Sequence, residues 1–350
     1  MAPRKIQVLR VLRVLRVLGV MAMTGCPYTE GCEGAATGSP EGGKPSEGGP
    51  KDDGGNLLGP ILPNCQGLTA QCNSESCCAA ADVPGGSFNR GNDPAFPANV
   101  SDFRLDVYEV TVGRFRAFVN ANKGTKKSPP AEGAGAHPKI PNSGWSNAFN
   151  AQLTDDKTAF VSALLCDMSL YNAYSEVPGT NDTLPMNCMT WTEAVAFCIW
   201  DGGRLPTEVE AQYAAAGGSE QREFPWGGPF DATKLGYGCQ SGDSVADPGA
   251  PPCTFKNFTA VGTHPAGKGR WGHHDLSGNV WERALDFFVL PYRLPTCDDC
   301  ADLQPVPEGR VIRGGAINWA QSYQRTVDRT GVNSEPLDIR TNTVGFRCAR

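Results

Sequence analysis

Two complete helix-start signals stand back to back in residues 185–218, PMNCMTWTEAVAFCIWDGGRLPTEVEAQYAAAGG, and they constrain this chain more than any other stretch. Thr190 with Glu193, and Thr207 with Glu210, each spell a capping box. In that device the threonine hydroxyl accepts from the backbone N–H three residues on, while the carboxylate reaches back to the threonine N–H. Trp191, Ala194 and Cys198 recur at helical spacing with Phe197 alongside, until Asp201-Gly202-Gly203 supplies a left-handed stop. The second helix runs through Tyr213 to Ala216 and ends at Gly217-Gly218. Between them Pro206 lacks a backbone donor and disfavours helix in the residue before it, so Arg204-Leu205-Pro206 is a tight connector.

After residue 64 the chain lies near the upper limit of roughly 250–300 residues for one hydrophobic core, so one large domain is the simplest reading. The net charge is −6 over 350 residues, and Arg4, Lys5, Arg10, Arg13 and Arg16 all precede residue 26 with no acid among them. The remainder is more acidic still, which argues against nucleic acid as a partner. Seven arginines after residue 301 are interleaved with five acids and allow only a local basic groove. Fourteen cysteines behind an export-like start point to disulfides outside the cytoplasm; in a cytosolic chain they would suggest metal.

Residues 1–25 run from basic residues through an apolar stretch into Met23-Thr24-Gly25-Cys26, the pattern of a bacterial lipoprotein signal peptide. Cleavage before Cys26 and its lipidation would anchor the protein to a bacterial membrane, facing out of the cytoplasm. Ordinary secretion and an unprocessed amphipathic end are the alternatives, because Met23 stands where leucine is usual and arginines interrupt the apolar stretch. Residues 26–64 are rich in Gly, Pro and Ser and form a disordered tether reaching very roughly 35 Å. Cys65, Cys72, Cys77 and Cys78 then make residues 65–82 a cysteine-rich lead-in, stapled by disulfides or, alternatively, metal-binding. Cys77 and Cys78 are adjacent and take different partners; the spacing does not assign them.

Further on, Pro84-Gly85-Gly86 reads as a turn into a strand, Phe103, Leu105 and Val107 as a second strand, and Thr111 as the cap of a helix carrying Phe115, Phe118 and Val119. Residues 122–148 read as a surface excursion, and Phe224-Pro225-Trp226-Gly227 as a loop wedged by a buried aromatic. Cys239 and Cys253 flank a Gly/Asp/Pro loop and would close it; Cys166 and Cys188 would do the same around an insertion. Cys297-Asp298-Asp299-Cys300 has redox or metal spacing, but without a second such pair or a histidine cluster it reads as a small structural disulfide. His137, His264, His273 and His274 show no metal spacing, and His273-His274 reads as loop surface. No nucleophile elbow, phosphate loop or dinucleotide fingerprint occurs.

The central block resembles the signature of the formylglycine-generating enzyme family, also called sulfatase-modifying factors, at Pro185, Trp191, Ala194, Cys198, Gly202, Arg204 to Thr207, Glu210, Tyr213 to Ala215 and Gly217-Gly218. Six more of its words follow family order: Val83 to Phe88, Tyr108 to Thr111, Pro225-Trp226-Gly227, Gly278 to Glu282, Arg313-Gly314-Gly315 and Gly345 to Ala349. The resemblance implies an α+β fold, formylglycine-generating-enzyme in type and related in topology to C-type lectins, irregular and disulfide-rich. It also implies a disulfide between Cys198 and Cys348, and a calcium site to which Asn279, the Val280 carbonyl and Glu282 contribute. Hard oxygen donors suit Ca²⁺; the plainer reading of that word is a polar turn pinned by Trp281.

In active members of the family, two cysteines spaced five apart follow Arg-Gly-Gly and bind Cu(I), which activates O₂ to oxidise a substrate cysteine to formylglycine. The soft ion takes thiolates. Here those places are Trp319 and Gln324, and no cysteine lies between Cys300 and Cys348. Copper is therefore not expected. Tyr323 matches a tyrosine of the family cleft, whereas Thr343, with Asn342 adjacent, replaces an asparagine. The expectation is a lipoprotein that binds a peptide, glycan or protein ligand in that cleft. An active oxidase is the alternative, and a purely structural envelope protein a third reading.

Overall fold

A computed structural model describes residues 65, 68, 70–166, 172–240, 246–254, 257–329 and 334–350. Cys26, the signal peptide and the tether lie outside the described residues. The strands are β1 (Gln71–Cys72), β2 (Glu75–Ser76), β3 (Ala80–Val83), β4 (Gly86–Asn89), β5 (Pro97–Val100), β6 (Phe103–Asp106), β7 (Trp281–Phe287), β8 (Cys297–Asp298), β9 (Arg310–Arg313), β10 (Ser334–Glu335) and β11 (Val344–Gly345). The helices are α1 (Val112–Asn120), α2 (Lys157–Ala163), α3 (Trp191–Trp200) and α4 (Glu208–Ala216). No helix among the described residues is long and apolar enough to cross a membrane.

Both capping boxes form. Thr190 Oγ1 accepts from the Glu193 N–H at 3.2 Å while Glu193 Oε2 accepts from the Thr190 N–H at 3.0 Å. Thr207 and Glu210 repeat this at 3.2 and 2.8 Å, and Gly217 ends α4 with φ 67°. Each glutamate has a second duty that local sequence does not reveal: Glu193 also holds Arg340 at 2.7 Å, and Glu210 holds Arg204 at 2.6 Å. Burial alone would raise the Glu210 pKa, but His137 and Arg204 outweigh it and bring the carboxyl down to about 2.

The core gathers on α3. Phe197 stacks on Phe115 at 5.5 Å and meets Phe346 edge-on at 5.4 Å, with Phe118 and Phe160 around them. Beside this cluster lies a sheet of order β10-β9-β7-β11, antiparallel except for the parallel β11–β7 pair. Its central strand β7 is buried almost throughout, because α3 and α4 cover it: Trp191 Nε1 donates to the Ala284 carbonyl at 2.8 Å, and Leu285 N–H donates to Pro206 O at 2.9 Å. A second sheet, β4-β5-β8, and the β3–β6 pair complete the framework.

The C-terminal stretch zips these parts together. Ala349 exchanges backbone bonds with Arg204, and Arg350 with Arg104. Beneath them the buried Arg114 bridges Asp106 (2.9 Å) and Asp201 (2.8 Å), and Arg350 reaches both carboxylates from the other side. Six disulfides staple the fold: Cys65–Cys78, Cys72–Cys77, Cys166–Cys188, Cys198–Cys348, Cys239–Cys253 and Cys297–Cys300.

Three expectations need correction. His273 and His274 are wholly buried rather than on a loop surface, His274 stacked on Tyr108 at 4.9 Å. Residues 122–148 are not merely a surface excursion, for Trp145 is buried and reaches α3 through Phe149, which packs on Trp191 at 5.4 Å. The arginines after residue 301 form no open basic groove among the described residues. Arg310 lies between the rings of Trp191 and Phe287, Arg347 is paired with Glu282, and Arg329 with Glu208.

Candidate cleft after Arg313-Gly314-Gly315

The strand β9 ends in Gly314 and Gly315, both at positive φ (94° and 74°). A β-carbon on Gly315 would collide with the Gln324 side-chain amide, so that amide needs glycine there. The chain then turns through Ala316 and Trp319 into a short 3-10 helix, Gln321–Gln324. Gln324 is buried inside this turn. Its Nε2 donates to the carbonyls of Ala316 (2.9 Å) and Trp319 (3.0 Å), and Ser277 Oγ donates to its backbone carbonyl at 2.7 Å. Trp319 is half-buried, edge-on to Trp281 at 5.7 Å and to Tyr323 at 5.0 Å. The Trp281 backbone N–H donates to the Thr343 carbonyl at 2.9 Å, and the neighbouring Asn342 carbonyl accepts from Asn187 Nδ2 at 2.6 Å. Trp281 is thus the hub joining the cleft residues.

A pocket of about 260 Å³ opens beside Trp319, walled by residues 237–239 and 246–250. As copper ligands the two key positions do not fit. One carries an indole and the other an amide whose nitrogen already donates twice, and neither offers a thiolate. All twelve described cysteines are joined in the six disulfides.

The word Gly278 to Glu282 contains Trp281 itself. Asn279, at φ 57°, donates from Nδ2 to Glu109 Oε2 at 2.7 Å, and the buried Val280 donates its N–H to Glu109 Oε1 at 3.3 Å. Both oxygens of Glu282 hold Arg347, at 2.6 and 2.7 Å. Asn279, whose Oδ1 accepts from the Thr259 N–H at 3.3 Å, and Glu282 are thus engaged with protein partners, and calcium would compete with Arg347 for Glu282. Two further buried carboxylates stand nearby that sequence reasoning did not single out, Glu109 and Asp275. Burial, then the charges of Asp275 and Glu282, push the Glu109 pKa well above the usual carboxylate range. Burial likewise raises that of Asp275, although the Gly262 N–H donates to it at 2.6 Å. Position alone held a signal, since Glu109 sits inside the Tyr108 to Thr111 word and Asp275 three residues before Gly278.

Residues 66–350 match the profile of the sulfatase-modifying factor enzyme 1-like domain. The chain belongs to the sulfatase-modifying factor family. It is similar to the formylglycine-generating enzyme of Thermomonospora curvata, 30% identical over 300 residues that cover 76% of this chain and 91% of that protein. It is also similar to the inactive C-alpha-formylglycine-generating enzyme 2 of Bos taurus, 28% identical over 295 residues covering 76% of this chain and 86% of that one. Among solved structures it resembles PvdO from Pseudomonas aeruginosa, with a TM-score of 0.49, 21% identity and coverage of 77% and 93%. The relatives thus include a protein named as a formylglycine-generating enzyme and one named as an inactive counterpart. The fold is the α+β, disulfide-rich fold of that family, and its six disulfides suit a protein outside the cytoplasm.

Proposed function

We propose that this sulfatase-modifying-factor protein is an extracytoplasmic lipoprotein, anchored through Cys26, whose cleft binds a peptide, glycan or protein ligand instead of oxidising one. The observation that carries this reading is Gln324. It stands where a copper thiolate would, buried, with its amide tied to the Ala316 and Trp319 carbonyls. Trp319 adds a half-buried aromatic surface beside a pocket, the arrangement that anchors ligands well. The test is to incubate the purified protein with Cu(I), O₂ and a Cys-x-Pro-x-Arg sulfatase peptide and to weigh the peptide. The thiol should persist; its conversion to the aldehyde would establish the alternative, a formylglycine-generating oxidase. Anchoring is tested by labelled palmitate, which Cys26→Ser should fail to incorporate.

Calcium is proposed as a ligand of the Gly278 to Glu282 word. The donors would be Asn279, the Val280 carbonyl and Glu282, with the ion competing with Arg347 for the Glu282 carboxylate. Hard oxygen donors of this kind suit Ca²⁺.

A further inference from the structure

The pocket beside Trp319 has a composition that specifies more than an apolar ligand. Its lining residues are Tyr237, Gly238, Cys239, Trp319 and the run 246–250, and among them Asp247 is the one charged side chain. Two elements bring the aromatic walls together. The N–H groups of Gly238 and Cys239 both donate to the Ile317 carbonyl, at 3.0 and 3.1 Å, which lays the Tyr237 segment beside the Trp319 segment. The outer wall is pinned by the Cys239–Cys253 disulfide and by paired bonds of Gln240, whose N–H donates to Pro251 O and whose carbonyl accepts from the Cys253 N–H, each at 2.7 Å. Asp247 is held by a long bond from the Gln321 N–H, 3.4 Å to one carboxylate oxygen. Tyr237 Oη is buried without a partner among the described residues. A carboxylate beside an indole and a phenol at one opening favours a cation over an anionic group, because the carboxylate is the charge present and aromatic π-systems attract cations.

We propose that this pocket takes the cationic side chain, lysine or arginine, of a peptide ligand. The inference rests on the reading of the cleft as a binding site and names the chemistry of what it binds. A volume of about 260 Å³ accommodates one such side chain. The Cys239–Cys253 staple then has a functional consequence, since reducing it frees the wall that carries Asp247.

The test uses calorimetry and saturation-transfer NMR on the full protein with acetyl-Gly-Lys-Gly-amide, its arginine counterpart and its norleucine counterpart. The cationic peptides should bind saturably and at least about tenfold more tightly than norleucine. Asp247→Asn should weaken them about fivefold or more, and Trp319→Ala should abolish binding. Asp247 is partly exposed on a loop, so its variant keeps the test valid even where Trp319→Ala fails to fold. Equal binding of norleucine, or binding unchanged in Asp247→Asn, overturns the proposal. Tetramethylammonium binding more tightly than either peptide overturns the peptide assignment in favour of a small organic cation. A peptide that needs Trp319 but ignores Asp247 overturns this inference and leaves the binding-module reading standing. Conversion of thiol to aldehyde in the copper experiment overturns that reading and leaves the cation pocket standing.

Discussion

The helix pair α3–α4 and the cleft after Arg313-Gly314-Gly315 solve the same problem, fixing short segments of chain, by different means. In the helix pair every polar side chain that matters is doubly used: Glu193 and Glu210 each cap a helix and neutralise an arginine. In the cleft the fastening is made of neutral groups, the Gln324 amide on two carbonyls and Trp319 edge-on to two rings. Removing one partner of a buried charge pair strands the other, whereas a neutral contact can be exchanged for another of similar shape.

Breaking the frame should be the most damaging change. Replacing Cys198 and Cys348 by serine opens a link across 150 positions and should cost about 5 kcal/mol, read from guanidinium unfolding. A loss below about 1 kcal/mol would mean that the hydrogen bonds of the C-terminal stretch suffice without the staple. Next, Glu210→Gln leaves Arg204 buried and unpaired and should cost about 3–4 kcal/mol by the same measurement. An unchanged midpoint would remove the contrast between charged frame and neutral cleft.

Acidification probes the frame differently. Burial, then the charge of Arg347, lowers the His273 pKa to about 3, so its stabilising contribution is complete above the unfolded value of about 6.5 and is lost as pH falls below it. Burial, then the charge of Glu208, raises the Asp286 pKa to about 7; that contribution is complete below the unfolded value of about 3.9 and is lost as pH rises through 7. The two slopes oppose each other between pH 4 and 6.5. His273→Gln should therefore shift stability at pH 5, relative to pH 7, upward by about 2 kcal/mol, and Asp286→Asn should shift it the other way. Parallel profiles for both variants and the parent would refute the assignment.

Smaller effects belong to the region around Trp281. Calcium at ten times its Kd should stabilise by about 1.4 kcal/mol, removed by EDTA and absent in Glu282→Gln. Smallest of all, Tyr323→Phe should change stability by less than about 0.5 kcal/mol while altering ligand affinity at Trp319. A large loss of stability would show that the cleft is part of the frame.

What could be read in the sequence follows the range of the forces involved. Thr190, Glu193, Thr207 and Glu210 act within one helical turn, so their roles were legible, as were the positions of Trp319 and Gln324 by counting from Arg313. The Glu193–Arg340 pair spans 147 positions and no local pattern announces it. His273 and His274 looked solvent-facing because their neighbours are polar or glycine; their burial comes from Leu105, whose carbonyl lies 3.3 Å from His273 Nε2, and from the Tyr108 ring. The Tyr237–Asp247–Trp319 pocket was illegible for a related reason, since it exists only when the loop closed by Cys239–Cys253 meets the turn after Gly315.

The zipper at Ala349 and Arg350 also sets a schedule. Arg350 reaches Asp106 across 244 positions, and Phe346 fills a socket between Phe115 and Phe197. Until those residues meet, the framework is not closed, and Phe115 and Phe197 lack the ring that covers them. Closure of the framework therefore waits on contacts between residues far apart in the chain, the kind of topology that folds slowly.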